Sequence, residues 1–201
     1  MLKRLLFVFV LALPMSVSAQ SSILVFGDSL SAGYGIAVEQ SWPALLARRL
    51  QNNRPPWSVS NARISGETTA GGRSRFVAAL DRAQPAVVVL ALGANDGLRG
   101  LPVAQMRDNL TAMIQAAKTR KAKVLLIGMK LPPNYGPDYV RRFEQTFADV
   151  ARHADVPLLP FLLAPVALDA NAFQPDGLHP TAAAQPKLLD YVWPALKPLL
   201  R

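Results

Sequence analysis

Ile23-Leu24-Val25-Phe26-Gly27-Asp28-Ser29-Leu30-Ser31 is the stretch from which the fold can be read. An apolar run feeds directly into Gly-Asp-Ser. The run predicts a strand buried on both faces, as in a parallel sheet. The three residues after it predict a tight turn, with a hydroxyl placed where a helix begins. A helix N-terminus leaves backbone N–H groups without partners and carries the positive end of the dipole. A serine held there lies beside donors suited to an oxyanion. The same residues read equally as a turn with an N-cap serine, so the choice rests on the remainder of the chain.

Outward from this stretch, strands and helices alternate. After a glycine-containing loop (Gly33, Gly35), Ser41 and Pro43 open a helix whose apolar positions are Trp42, Leu45, Leu46 and Leu50. Trp57 to Ala62 reads as a second strand, running into a polar loop with Gly66. A helix is expected from about Gly72 to Ala83. Ala86 to Leu92 is the clearest strand and ends in Gly93-Ala94-Asn95-Asp96-Gly97. Pro102 to Lys121 predicts an amphipathic helix along Met106, Leu110, Met113, Ile114 and Ala117. A strand over Lys123 to Met129, a helix over Pro137 to His153 and a short strand over Val156 to Pro160 follow. A last helix spans Thr181 to Leu199, kinked or split by Pro186 and Pro194.

This order predicts an α/β fold, a three-layer αβα sandwich around a parallel sheet of about five strands. In such sheets ligands bind where strands end at their C-terminal edge. Ser29, Gly66 and Asn95 should therefore meet in space.

The 201 residues suit one domain. Cysteine is absent, which excludes disulfides, a thiol nucleophile and thiolate-bound metal. Only His153 and His179 could supply imidazole, so no metal site is expected. His153 closes an amphipathic helix, where it suits the dipole. Lys3 and Arg4, the apolar run Leu5 to Leu13 and Val17-Ser18-Ala19 have the order of an export signal over residues 1–19. Residues 20–201 are then the mature domain, outside the cytoplasm and periplasmic. Loss of those two cations lowers the net charge from +9 to +7. The basic residues are scattered without aromatic interleaving, so no nucleic-acid partner is expected, and at most peripheral membrane contact.

Asp176-Gly177-Leu178-His179-Pro180 completes the chemistry. A carboxylate three residues before an imidazole, on a turn set by Gly177 and Pro180, can bond one ring nitrogen. The other is left free to take a serine proton. Standing alone, the pair also reads as a turn acid and a loop histidine.

Together, Gly27-Asp28-Ser29-Leu30, Gly66, Gly93-Ala94-Asn95-Asp96 and Asp176-x-x-His179 resemble the four sequence blocks of the GDSL, or SGNH, hydrolase superfamily. Ser29 to Tyr34, Trp42 to Leu46, Asn95 to Gly100, Asn134 to Gly136 and Val156 to Phe161 extend the likeness over the mature chain. They point to its periplasmic thioesterase and lysophospholipase branch. The resemblance implies a flavodoxin-like hydrolase fold, with Ser29 as nucleophile, His179 as base and Asp176 as orienter. It implies an oxyanion hole from the backbone N–H of Ser29 and Gly66 and the amide of Asn95. Leu98, Leu131, Pro132 and Tyr135 lie on loops at the same sheet edge and are expected to line an acyl pocket, or simply to pack its rim. The resemblance implies that the Leu98 to Leu101 loop moves over the acyl chain and the Leu131-Pro132 loop helps choose its length. Asp28 and Asp96 are expected to hold their own loops.

The expected function is hydrolysis of acyl esters and thioesters through an acyl-serine, without a cofactor, by a monomer. Expected substrates are small acyl esters, acyl thioesters and lysophospholipids. A carbohydrate O-acetylesterase and a non-catalytic lipid-binding protein of the envelope are the rival readings.

Overall fold

The computed structural model describes residues 21–53 and 56–201. The export signal expected at residues 1–19 lies outside these. Five strands, β1 (Ser22–Gly27), β2 (Ser58–Arg63), β3 (Val87–Ala91), β4 (Lys123–Ile127) and β5 (Leu158–Leu159), form one sheet in the order β2-β1-β3-β4-β5. Every pairing is parallel. The helices are α1 (Ser29–Ala32), α2 (Trp42–Leu50), α3 (Thr69–Ala83), α4 (Ala94–Leu98), α5 (Val103–Thr119), α6 (Pro137–Ala154) and α7 (Gln185–Leu196). Among the described residues no helix is long and apolar enough to cross a membrane.

The buried run of β1 has its explanation in the layers. Successive strand side chains point to opposite faces. Leu24 and Phe26 pack with Phe76, Leu80, Leu110 and Phe147 beneath α3, α5 and α6. Ile23 and Val25 pack with Trp42, Leu46, Leu188 and Val192 beneath α2 and α7. With a helical layer on each face, neither face of β1 meets water, and an alternating pattern would leave polar groups in a core.

The register aligns the strand ends. Gly27 pairs with Arg63 on one side and Ala91 on the other. Three loops therefore leave the sheet at one level, carrying Ser29, Gly66 and Asn95. The connection from β2 to β3 passes over β1 and reverses the direction of winding, which opens a crevice at the ends of β1 and β3.

Several boundaries differ from expectation. Helix α3 begins three residues early, at Thr69, because Thr68 caps it, its side chain accepting from Gly71 N. The final helix has 3-10 turns at Ala182–Ala184 and Lys197–Leu200 flanking α7, whereas Pro186 sits in the first turn of α7 and Pro194 lies inside it without dividing it. Ser41 holds the N-cap position of α2, but its hydroxyl donates to Val38 O at 2.6 Å. The orphan N–H of Trp42 is taken instead by Gln185 Oε1 at 3.0 Å, from α7. The fifth strand has only two residues. His153 Nδ1 lies 2.7 Å from Asp149 O near the end of α6, a local contact.

Candidate active site

The turn after β1 is built by Asp28. Its Oδ1 accepts from Leu30 N at 3.0 Å, capping α1, so the N-cap is the aspartate and Ser29 is the first helical residue. Gly33 ends the helix at φ +68, a left-handed conformation that glycine adopts without penalty. Ser29 is thus held above the sheet at the start of a helix whose next N–H groups are engaged, Leu30 N with Asp28 Oδ1 and Ser31 N and Ala32 N with Asp28 O.

Downstream, Asp176 organises the turn that presents His179. Asp176 Oδ1 accepts from Leu178 N at 2.9 Å and His179 N at 3.0 Å. Its Oδ2 faces His179 Nδ1 at 2.7 Å. These donors, the two backbone N–H groups first, hold the Asp176 carboxyl down at about 2. Opposite a carboxylate, Nδ1 carries the proton, which leaves the Nε2 lone pair for Ser29 Oγ at 2.9 Å. The turn is pinned by Gln174, whose Nε2 donates to Tyr34 O at 2.7 Å and Pro180 O at 3.2 Å. The Tyr34 ring lies against the His179 ring, centroids 4.5 Å apart.

Gly66 sits in a tight turn closed by Glu67 N to Ile64 O at 3.2 Å, with φ +77. The turn is tied from below by Glu67, which is buried and ion-paired with Arg75. Arg75 also donates to Ala62 O at 3.2 Å and stacks on Phe26, its guanidinium 4.0 Å from the ring centre. From above, Arg99 Nη2 donates to Gly66 O at 2.7 Å.

Asn95 opens α4 after Gly93, whose φ of +123 turns the chain off the end of β3. Its Nδ2 donates to Asp28 Oδ2 at 3.3 Å. Asp28 is buried, and that burial pushes its carboxyl up to about 6 against the lowering effect of its donors. The neighbouring Asp96 departs from expectation. It holds the other loop as well as its own: Oδ2 accepts from Thr69 N at 2.8 Å and Oδ1 from Thr69 Oγ1 at 2.6 Å.

Ser29, Gly66, Asn95 and His179 line one cavity of about 620 Å³, alongside Leu98, Leu131 and Pro132. Tyr135 is not in its wall. It is half-buried and its hydroxyl donates to Leu98 O at 3.0 Å, so it braces the loop that lines the pocket. Leu30, Tyr34, Met129, Phe161, Leu163, Leu168, Phe173 and Leu178 add apolar wall and were not singled out from sequence as pocket residues; Lys130 lines the cavity as well. Most of them lie on the irregular stretch after β5 or beside motif residues, where no periodicity marks a facing direction. Among the described residues no cluster of three His, Asp or Glu could hold a metal ion.

Such an arrangement can raise the nucleophilicity of a hydroxyl, surround a developing oxyanion with donors, and accept an apolar chain beside both. Residues 25–185 match the GDSL-like Lipase/Acylhydrolase family. The chain is 49% identical over 183 residues to Esterase TesA of Pseudomonas aeruginosa, covering 91% of each protein. It is 40% identical over 194 residues to Thioesterase 1/protease 1/lysophospholipase L1 of Escherichia coli K12, covering 96% of this chain and 92% of that one. A crystal structure of the psychrotrophic esterase EstA from Pseudoalteromonas, inhibited by monoethylphosphonate, superposes with a TM-score of 0.85. It is 37% identical, with 90% of this chain and 99% of that one covered.

Proposed function

The chain belongs to the GDSL-like lipase/acylhydrolase family, and on that basis we propose that Ser29, His179 and Asp176 carry its chemistry. It is a serine hydrolase of acyl esters and thioesters. The observation that carries the residue assignment is the unbroken hydrogen-bond line from Asp176 through His179 to Ser29 at the mouth of an apolar cavity.

In the first half-reaction, Ser29 Oγ attacks the acyl carbonyl as its proton passes to His179 Nε2. The carbonyl oxygen becomes an oxyanion that accepts from the N–H groups of Ser29 and Gly66 and from Asn95 Nδ2. Each such donor contributes about 3 kcal/mol to the transition state. The imidazolium is stabilised by Asp176 and returns the proton to the departing alcohol or thiol, leaving an acyl-serine. In the second half, Nε2 takes a proton from water, which attacks the acyl carbon. The acid is released and the proton goes back to Ser29.

The cavity wall of leucine, methionine and phenylalanine supports acyl chains longer than acetate, which favours lysophospholipids and fatty-acyl thioesters over acetylated sugars. Residues 1–19 support export to the periplasm, and residues 20–201 act there as a monomer. The test is the Ser29→Ala protein, folded by circular dichroism, with p-nitrophenyl octanoate. Hydrolysis is lost, and an alkyl phosphonate labels the wild type and not the variant. Undiminished turnover, or labelling elsewhere, overturns the assignment.

A further inference from the structure

Asp96 is buried and takes no part in the hydrolytic steps above. Its carboxylate accepts both from the backbone N–H and from the hydroxyl of Thr69, the first residue of α3. The donors behind Thr69 run in one direction. Arg73 Nη1 donates to Asn109 Oδ1 at 3.3 Å, Asn109 Nδ2 to Thr69 Oγ1 at 3.1 Å, and Thr69 Oγ1 to Asp96. With its acceptor role filled by Asn109, the Thr69 hydroxyl has a single orientation, toward Asp96. The carboxylate is gripped at both oxygens, and its own backbone O accepts from Leu101 N at 2.9 Å.

Sequence position shows what this grip does. Asp96 follows Asn95 directly, and Thr69 lies three residues after Gly66. The tie therefore joins the two loops that carry the separate oxyanion donors, each end within three residues of its donor. It does so in a buried site, where a charge-assisted pair of hydrogen bonds is short and stiff. Arg99 to Gly66 O is a second link between the same loops, but it is exposed.

We infer that the Asp96–Thr69 tie sets the separation of the Asn95 amide and the Gly66 N–H, making Asp96 a positioning residue for oxyanion stabilisation. The inference rests on reading Asn95 and Gly66 as oxyanion donors. The tie leaves the Ser29–His179–Asp176 line untouched, because Asp96 bonds none of those residues.

The test uses the mature protein and a p-nitrophenyl acyl ester. Asp96→Ala is expected to lower kcat about a hundredfold, the scale of a misplacement near 1 Å, with KM within about threefold of wild type. The low-field proton resonance of the His179–Asp176 hydrogen bond is unchanged. In an Asn95→Ala background the same substitution costs less than about threefold, since the spacing no longer matters. Thr69→Val follows Asp96→Ala in kcat, and Thr69→Ser, which keeps both bonds, restores it. This pair decides the matter if Asp96→Ala fails to fold. Wild-type kcat in Thr69→Val or in folded Asp96→Ala, alongside an impaired Asn95→Ala, overturns the inference alone. So does an Asp96→Ala penalty that persists in full without Asn95, or loss of the low-field resonance. Wild-type kcat in Asn95→Ala overturns the oxyanion reading beneath it.

Discussion

The Asn95 side chain donates through Nδ2 to the buried carboxylate of Asp28, 3.3 Å away, so the residue beside Ser29 also orients the amide proposed as an oxyanion donor. An amide nitrogen has two hydrogens. With one directed at Asp28, the other is aimed by the plane of the amide.

Replacing Asp28 by Asn separates stability from activity. Burial raises the Asp28 carboxyl from the usual 3.8 to about 6. The folded protein therefore holds this proton more tightly than the unfolded chain does. Wild-type stability falls by up to about 3 kcal/mol as pH rises from about 4 to about 6, and does not recover above it on this account. Asp28→Asn lacks that fall, so it is more stable than wild type at pH 7 by denaturant unfolding. Its Oδ1 still caps Leu30, but its amide now meets the Asn95 amide donor to donor. Asn95 turns its oxygen inward, and kcat drops about a hundredfold.

Asp176→Asn tests the orienting role. Its side-chain amide faces His179 Nδ1, so the ring places its proton on Nε2 and can no longer act as base. The expected loss in kcat is about 10⁴-fold, with the protein still folded. Asp176 is held near 2 by backbone donors and stays ionised through the pH range in which hydrolysis is assayed. Its titration makes no contribution to the acid limb of the wild-type pH–rate profile above about pH 4. A limb that follows the titration of Asp176 would contradict this.

Leu98→Ala removes one apolar wall of the cavity. A lost leucine contact costs about 1.5–3 kcal/mol when the bound group covers it fully. KM for a p-nitrophenyl octanoate is expected to rise roughly tenfold. For the acetate, whose chain ends short of that wall, KM stays within about twofold. Equal effects on both esters would remove Leu98 from the acyl pocket.

Gly97→Ala probes packing beneath the site. A Cβ at Gly97 would lie 2.6 Å from Phe143 Cε2 and 2.8 Å from Leu131 Cδ2. Phe143 is fully buried and set edge-on against Phe147, so its ring has no room to give. The expected destabilisation is about 1–3 kcal/mol, read as a shift in urea midpoint without change in slope.

What was legible in the sequence follows from the range of each interaction. The alternation of buried strands and amphipathic helices is local, and β1, β3, β4, α5 and α6 lie where periodicity puts them. Ser29, Gly66, Asn95, Asp176 and His179 stand beside glycines or prolines that mark the turns holding them, and the block pattern supplied their pairing. The role of Asp96 was misjudged because nothing near it in sequence announces Thr69, a partner 27 positions away. Tyr135 was placed in the pocket for its aromatic loop position, whereas its hydroxyl is spent on Leu98 O. Phe161, Leu163 and Leu168 were missed because an irregular segment presents no repeating face. Ser41 looked like a cap by residue type, but Gln185 caps from another helix, 143 positions away.

The hydrogen bond between Ser29 and His179 closes a circuit of 150 positions. The turn bearing His179 is fastened to the N-terminal half by Gln174 to Tyr34 and Trp42 to Gln185, across 140 and 143 positions. Contacts this distant form late, since the entropy of closing the chain comes before any gain from packing. The first β-α-β units can pair their strands and set Ser29 on its helix while no base is near. On the roles proposed for Ser29 and His179 a partly folded chain does not hydrolyse ester, so the onset of hydrolysis during refolding is expected to time the docking of the last thirty or so residues rather than the formation of the sheet.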